Sequence, residues 1–299
     1  MLNKNARRIA AALSALLMGA ASAAIAQTQD DPIVVTAARP EQVQGFVDNF
    51  AADAQGADQL PRWDREICMS VAGMPVRQAQ FLIDRVAQRA AAVGLQPGGP
   101  GCRPNVAIYV TSSDSFARTL FDQDRSLFAY RPETNIHTLG QGALDDFLDT
   151  QRPVRWWHIA RTMSADGIAL SGDASSGGIS NAPVARSSGS RISASTREDL
   201  TQAIVIIDAR RVAGAQMTAL ADYVAMVTLV QINPAAAASG YPTIMSLFNG
   251  SEVNQQAPSE LTTWDTAFLS GLYSANRSPA TAQMHRRDIA RRMSGDGAS

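Results

Sequence analysis

The sequence predicts an α+β fold, a mixed sheet in the N-terminal two thirds followed by a buried helix and C-terminal helices. Three observations carry that reading. Val76, Ala79, Leu82, Ile83, Val86 and Ala90 recur every three or four residues between two short β-rich runs, the signature of a β–α–β unit. Ile204-Val205-Ile206-Ile207 is a continuous apolar run, as expected of a central strand. From Ala213 to Ile232 the chain turns apolar on nearly every face at helical spacing, as expected of a buried helix.

Taken in chain order, residues 1–26 read as a cleavable signal peptide. Lys4, Arg7 and Arg8 precede a short apolar stretch, and Ala24 and Ala26 offer the small side chains that a signal peptidase reads before Gln27. The expected location is therefore periplasmic or secreted. Residues 27–60 form an N-terminal arm and a short helix, with Pro40 suited to open that helix and run it to about Ala52. Residues 61–276 make a single α+β domain. Within it, Glu66–Val71 reads as a strand, Pro75 starts a helix stopped by Gly94, and Val106–Thr111 is the next strand. Short helices follow at Ser115–Phe121 and Leu139–Leu148, then an alternating strand from Val154 to Met163. Residues 166–190, rich in Gly, Ser, Ala and Asp, read as a flexible loop. Strands at Ile192–Ser195 and Ala203–Ile207 lead to the buried helix. Thr262 with Asp265 makes a capping box for a helix carrying Phe268, Leu269 and Leu272. Residues 277–299 form a basic helix and tail.

Composition excludes several classes. Once the leader is removed, 23 basic residues face 27 acidic ones, without the basic excess of a nucleic-acid binder. Lys4 is the only lysine, so Schiff-base chemistry, a P-loop lysine and Ser–Lys pairs have no residue to use. No later segment is long and apolar enough to span a bilayer. Cys68 and Cys102 are expected to pair as a disulfide joining the first strand to the turn before the second. His137, His158 and His285 stand on three separate segments without HExxH or another metal-ligand spacing. GxSxG, GxGxxG and Walker motifs are absent, so no cofactor or catalytic residue is assigned.

Asn233-Pro234, Ser246-Leu247-Phe248 and Leu261-Thr262-Thr263-Trp264-Asp265, set behind the buried helix, resemble a family of uncharacterised exported bacterial proteins. Their domains are similar to zincin-type metallopeptidases, in which HExxH lies on a buried helix after a mixed sheet. In that register this chain has Asp222-Tyr223-Val224-Ala225-Met226, so the resemblance implies a zincin-like frame without its metal site. Asp31-Pro32-Ile33-Val34-Val35-Thr36-Ala37 is similar to a TonB box, which implies a strand-addition contact through Ile33–Thr36; an ordinary N-terminal strand or tether is the alternative.

The third candidate is the interleaved strand. Period two puts Arg155, Trp157 and Arg161 on one face, where they either hold an anionic or sugar-bearing ligand or pack under a helix with the guanidinium heads reaching water. Two functions follow from the sequence. One is a non-catalytic domain that binds an unknown protein, envelope component or ligand. The other is a zincin-like or other hydrolase whose site the sequence does not display.

Overall fold

In a computed structural model of the protein, residues 39–130, 135–170 and 193–295 are described, and they belong to one compact unit, Ala38–Ser299. The signal peptide, its cleavage site at Ala26 and Gln27, the Ile33–Thr36 segment and most of the 166–190 loop lie outside the described residues.

Helix α1, Pro40–Phe50, opens at the expected proline and buries Val43, Phe46, Val47 and Phe50 on one stripe. Strand β1, Met69–Ala72, helix α2, Val76–Ala92, and strand β2, Val106–Thr111, form the predicted β–α–β unit with β1 and β2 parallel. Gly73 makes the exit from β1 possible: its φ is +81°, and a Cβ there would sit 2.0 Å from the Val110 carbonyl oxygen. Helix α3, Phe116–Gln123, a 3₁₀ turn at Arg125–Phe128, strand β3, Ile136–His137, and helix α4, Gln141–Asp149, follow. Strand β4, Val154–Ser164, pairs antiparallel with β5, Thr196–Asp208. The sheet order is β1-β2-β5-β4-β3, parallel over β1-β2-β5 and antiparallel beyond, the mixed sheet that was expected.

The strand expected at Ala203–Ile207 extends back to Thr196 as β5, while the described part of the one expected at Ile192–Ser195 keeps only an isolated bridge from Ser193 to Pro279. The charged residues of β5 stay in the ladder because they find partners. Arg197 pairs with Asp64 and with Asp199 (3.0 Å), and Glu198 accepts from the Thr162 hydroxyl (2.6 Å). Burial of charged residues is tolerated only with such pairing.

Helix α5, Met217–Leu229, is buried along nearly its whole length, as its apolar composition requires. It starts later than its sequence pattern suggests, because Asp208 holds the chain in a turn through Arg210 and Arg211. A 3₁₀ turn at Ile244–Leu247 leads into a small hairpin, β6 (Phe248–Asn249) and β7 (Glu252–Val253). Helix α6, Thr263–Ser274, carries the predicted capping box, and helix α7, Ala282–Met293, closes the chain.

The sheet separates two cores. Trp156, Ala160, Val205 and Ile207 face α1, α2, α5, α6 and α7; Trp157, Ile159, Ile204 and Ile206 face α3 and α4. Both α1 and α7 contribute fully buried residues, Phe46 and Ile289, to the larger core, so residues flanking the expected 61–276 domain pack into it. Cys68 and Cys102 form the expected disulfide with a Cα–Cα distance of 5.9 Å. No described helix is long and apolar enough to cross a membrane.

Candidate functional site

Strand β4 divides the three residues predicted to act together. Alternation holds, so Arg155, Trp157, Ile159 and Arg161 share a face, but α3, α4 and the first 3₁₀ turn cover its first half. The Trp157 indole is 2% exposed, sits 6.2 Å from the Phe147 ring and donates to the Phe128 carbonyl at 3.1 Å. No face of it is left for a sugar ring. Arg155 is buried without a carboxylate. Its guanidinium donates to the Phe147 and Leu148 carbonyls at 3.0 and 3.2 Å, so the negative end of α4 stands in for an acidic partner. Burial pulls its pKa down.

Arg161 lies past the covered half, where β4 opens into a cleft of about 820 Å³. The walls include Arg65 before β1, Arg125 and Tyr130 around the 3₁₀ turn, Ile136 on β3, Ile159 and Arg161 on β4, and Thr201 with Gln202 on β5. Among the described residues lining it, none is acidic. Arg125 lies 5.2 Å from the Phe121 ring centroid and 5.6 Å from that of Tyr130, which holds its head at the rim. Among the described residues Arg65 has no ion-pair or hydrogen-bond partner.

Two backbone irregularities shape this cleft. Ile159 pairs with Gln202 and Ala160 with Leu200, leaving Thr201 as the extra residue of a bulge. Bulges re-aim side chains, and here Thr201 and Gln202 both reach the cleft wall. Ala129 is the one non-glycine described residue with positive φ, +46°, a conformation that costs about 1–2 kcal/mol for an L-residue. It sits between the 3₁₀ turn and Tyr130, on the cleft itself. Strain of this kind concentrates at functional sites.

The zincin register on α5 leads elsewhere. Both Asp222 oxygens are taken: Arg85 donates to Oδ1 and Oδ2 at 2.8 Å each, Arg89 at 2.9 and 2.7 Å, and the Leu261 amide donates to Oδ2 at 2.8 Å. Burial would raise the carboxyl pKa, but these donors outweigh it and hold it at about 2. Tyr223 and Met226 complete the register with a phenol and a thioether. A carboxylate saturated by two guanidinium groups, a phenol and a thioether do not fit zinc. Among the described residues no group of three or more His, Cys, Asp or Glu is placed to hold a metal ion.

Sequence alone missed Arg65, Arg125, Tyr130, Thr201 and Gln202. They are scattered over 138 positions on segments with no shared period, so only the fold gathers them. Comparison with protein-family models, with curated proteins and with solved structures gave no match.

Proposed function

We propose that this chain is an exported, non-catalytic binding domain whose ligand is an anion held in the Arg65–Arg125–Arg161 cleft. The carrying observation is the convergence of three arginines from three segments on one ligand-sized opening, where Arg65 has no partner among the described residues and Arg125 faces Asp122 at 3.9 Å. Guanidinium groups present planar donor forks that match carboxylates and phosphates, and an aromatic and aliphatic floor of Tyr130, Ile136 and Ile159 favours a ligand with an apolar part. The leader-like N-terminus and the disulfide support export.

The test is calorimetric titration with citrate and with inorganic pyrophosphate. Arg65→Ala and Arg161→Ala are each expected to weaken binding at least tenfold, since a hydrogen bond to a charged group is worth about 1.5–3 kcal/mol. Arg65→Lys should not restore it fully, and raising salt from about 50 to 200 mM should weaken wild-type binding. Equal affinity in wild type and both alanine variants would remove the proposal.

A further inference from the structure

On the opposite face of β4 from the arginine cleft lies a second cavity, of about 680 Å³. It is framed by Trp156 on β4, Tyr223 on α5, Phe248 on β6 and the loop segments at 150–153 and 233–239. Its most informative group is the Tyr223 hydroxyl. The Tyr223 side chain is 7% exposed, its ring edge-packed against Phe248 (5.1 Å) and Trp156 (6.3 Å).

Four other aromatic donors of the two cores are satisfied within the chain. Trp63 donates to the Thr228 carbonyl, Trp156 to Ile232 and Trp157 to Phe128, while the Tyr273 hydroxyl donates to Leu229. Tyr223 alone among these has no hydrogen-bond partner in the described protein, although it lines a cavity. Its oxygen is not sealed off within the protein, so it faces the cavity and can donate to a molecule that enters it.

We infer that this cavity is a binding site for a short neutral saccharide, with the Tyr223 hydroxyl donating to one of its oxygens. Charge favours a neutral ligand. The single charged residue among its described lining, Arg152, is neutralised by Asp146 at 2.5 and 3.1 Å. Burial also raises the Tyr223 pKa, so the phenol keeps its proton and stays a donor. The lining favours a molecule with apolar faces and polar edges. The half-buried Phe248 and the edges of Trp156 and Tyr223 supply apolar surface, while Ser239, Asn249 and Ser251 bring side-chain polar groups that make no hydrogen bond within the described protein. A sugar ring has that division, C–H faces and hydroxyl edges, and the volume lies within the range of small-molecule sites.

The experiment is saturation-transfer NMR on the full chain with maltose and with N-acetylglucosamine. Wild type is expected to bind one or both, and Tyr223→Phe to bind about tenfold more weakly, the loss of one hydrogen bond. Its thermal midpoint should stay level, because the hydroxyl makes no hydrogen bond within the described protein. Ser251→Trp, on the exposed rim, should block the mouth without touching the core and serves where the first variant folds poorly. Arg65→Ala should leave the sugar signal unchanged, which separates this site from the arginine cleft. No transfer from either sugar in wild type, undiminished binding in both Tyr223→Phe and Ser251→Trp, or a lowered midpoint in Tyr223→Phe would overturn the inference.

Discussion

Trp157 and Trp156 are neighbours in sequence that serve opposite faces of the sheet, and their indole N–H groups reach carbonyls in different cores. Alternation along Val154–Met163 is enough to predict that division. Which stretch of each face is covered depends on where α3 and α4 dock, and no residue of β4 encodes that. Arg155 shows the same gap: its charge suggested an outward head, yet two carbonyls at the end of α4 satisfy it inside. The residue-level consequence is sharp. Trp157→Ala should cost about 3–5 kcal/mol, the loss expected for truncating a buried large aromatic, and leave a cavity against Phe128 and Phe147. Chemical denaturation measures it. A cost below about 1 kcal/mol would mean that the indole is not core. Arg161→Ala, on the open half of the same face, should change stability little.

Elements with strong periodicity were legible almost to their ends: α2, β2, β4 and the capped start of α6 lie within a few residues of their predicted bounds. Elements stabilised by tertiary partners were not. The stretch Arg197-Glu198-Asp199 has low strand propensity, and it becomes strand because Asp64, Thr162 and the Arg62 backbone supply partners. The two-residue strands β3, β6 and β7 carry too few residues for any period to show. The same holds for the cleft, whose arginines share no element. The disulfide is the one long-range link that spacing and compartment predicted, and it fastens the entry to β1 onto the turn before β2. Closing a loop of separation 34 should contribute about 3–4 kcal/mol in the chain-entropy account. Replacing both cysteines by serine is expected to lower stability by about that amount and leave the folded spectrum intact. An unchanged urea midpoint would show that the reduced chain is already held by its other contacts.

Across the whole molecule, buried ionisable groups pull stability in opposite directions with pH. Burial keeps His158 neutral, down to about 4, and burial with the Arg62 charge takes His285 to about 3. Both are depressed bases, so as pH falls below the ordinary 6.5 the unfolded chain gains protons that the folded one refuses. Each then removes about 1.4 kcal/mol per pH unit. Asp222, a depressed acid, adds to the loss as pH falls below 3.8 toward 2. Glu198 works against them. Burial raises it to about 7, with Asp199 and Asp58 adding to the rise and the Thr162 hydroxyl opposing it; that hydroxyl also lies 2.8 Å from His137 Nε2. A raised acid is protonated in the fold while the unfolded chain has ionised, so its contribution is present below 4.5 and lost as pH rises through 7. Between about pH 6.5 and 4.5 Glu198 therefore offsets one histidine, and the stability curve should be shallow there and steepen below. Glu198→Gln keeps an acceptor for Thr162 and removes the titration. At pH 8, where wild type must hold a buried carboxylate ionised, the variant should be more stable by about 2–3 kcal/mol. At pH 4, where Glu198 is neutral in both states, it should match wild type. Urea unfolding at pH 8, 6 and 4 reads this directly. A gain of equal size at pH 8 and pH 4 would point to packing, and a loss at pH 8 would mean that the ionised carboxylate is needed by the fold.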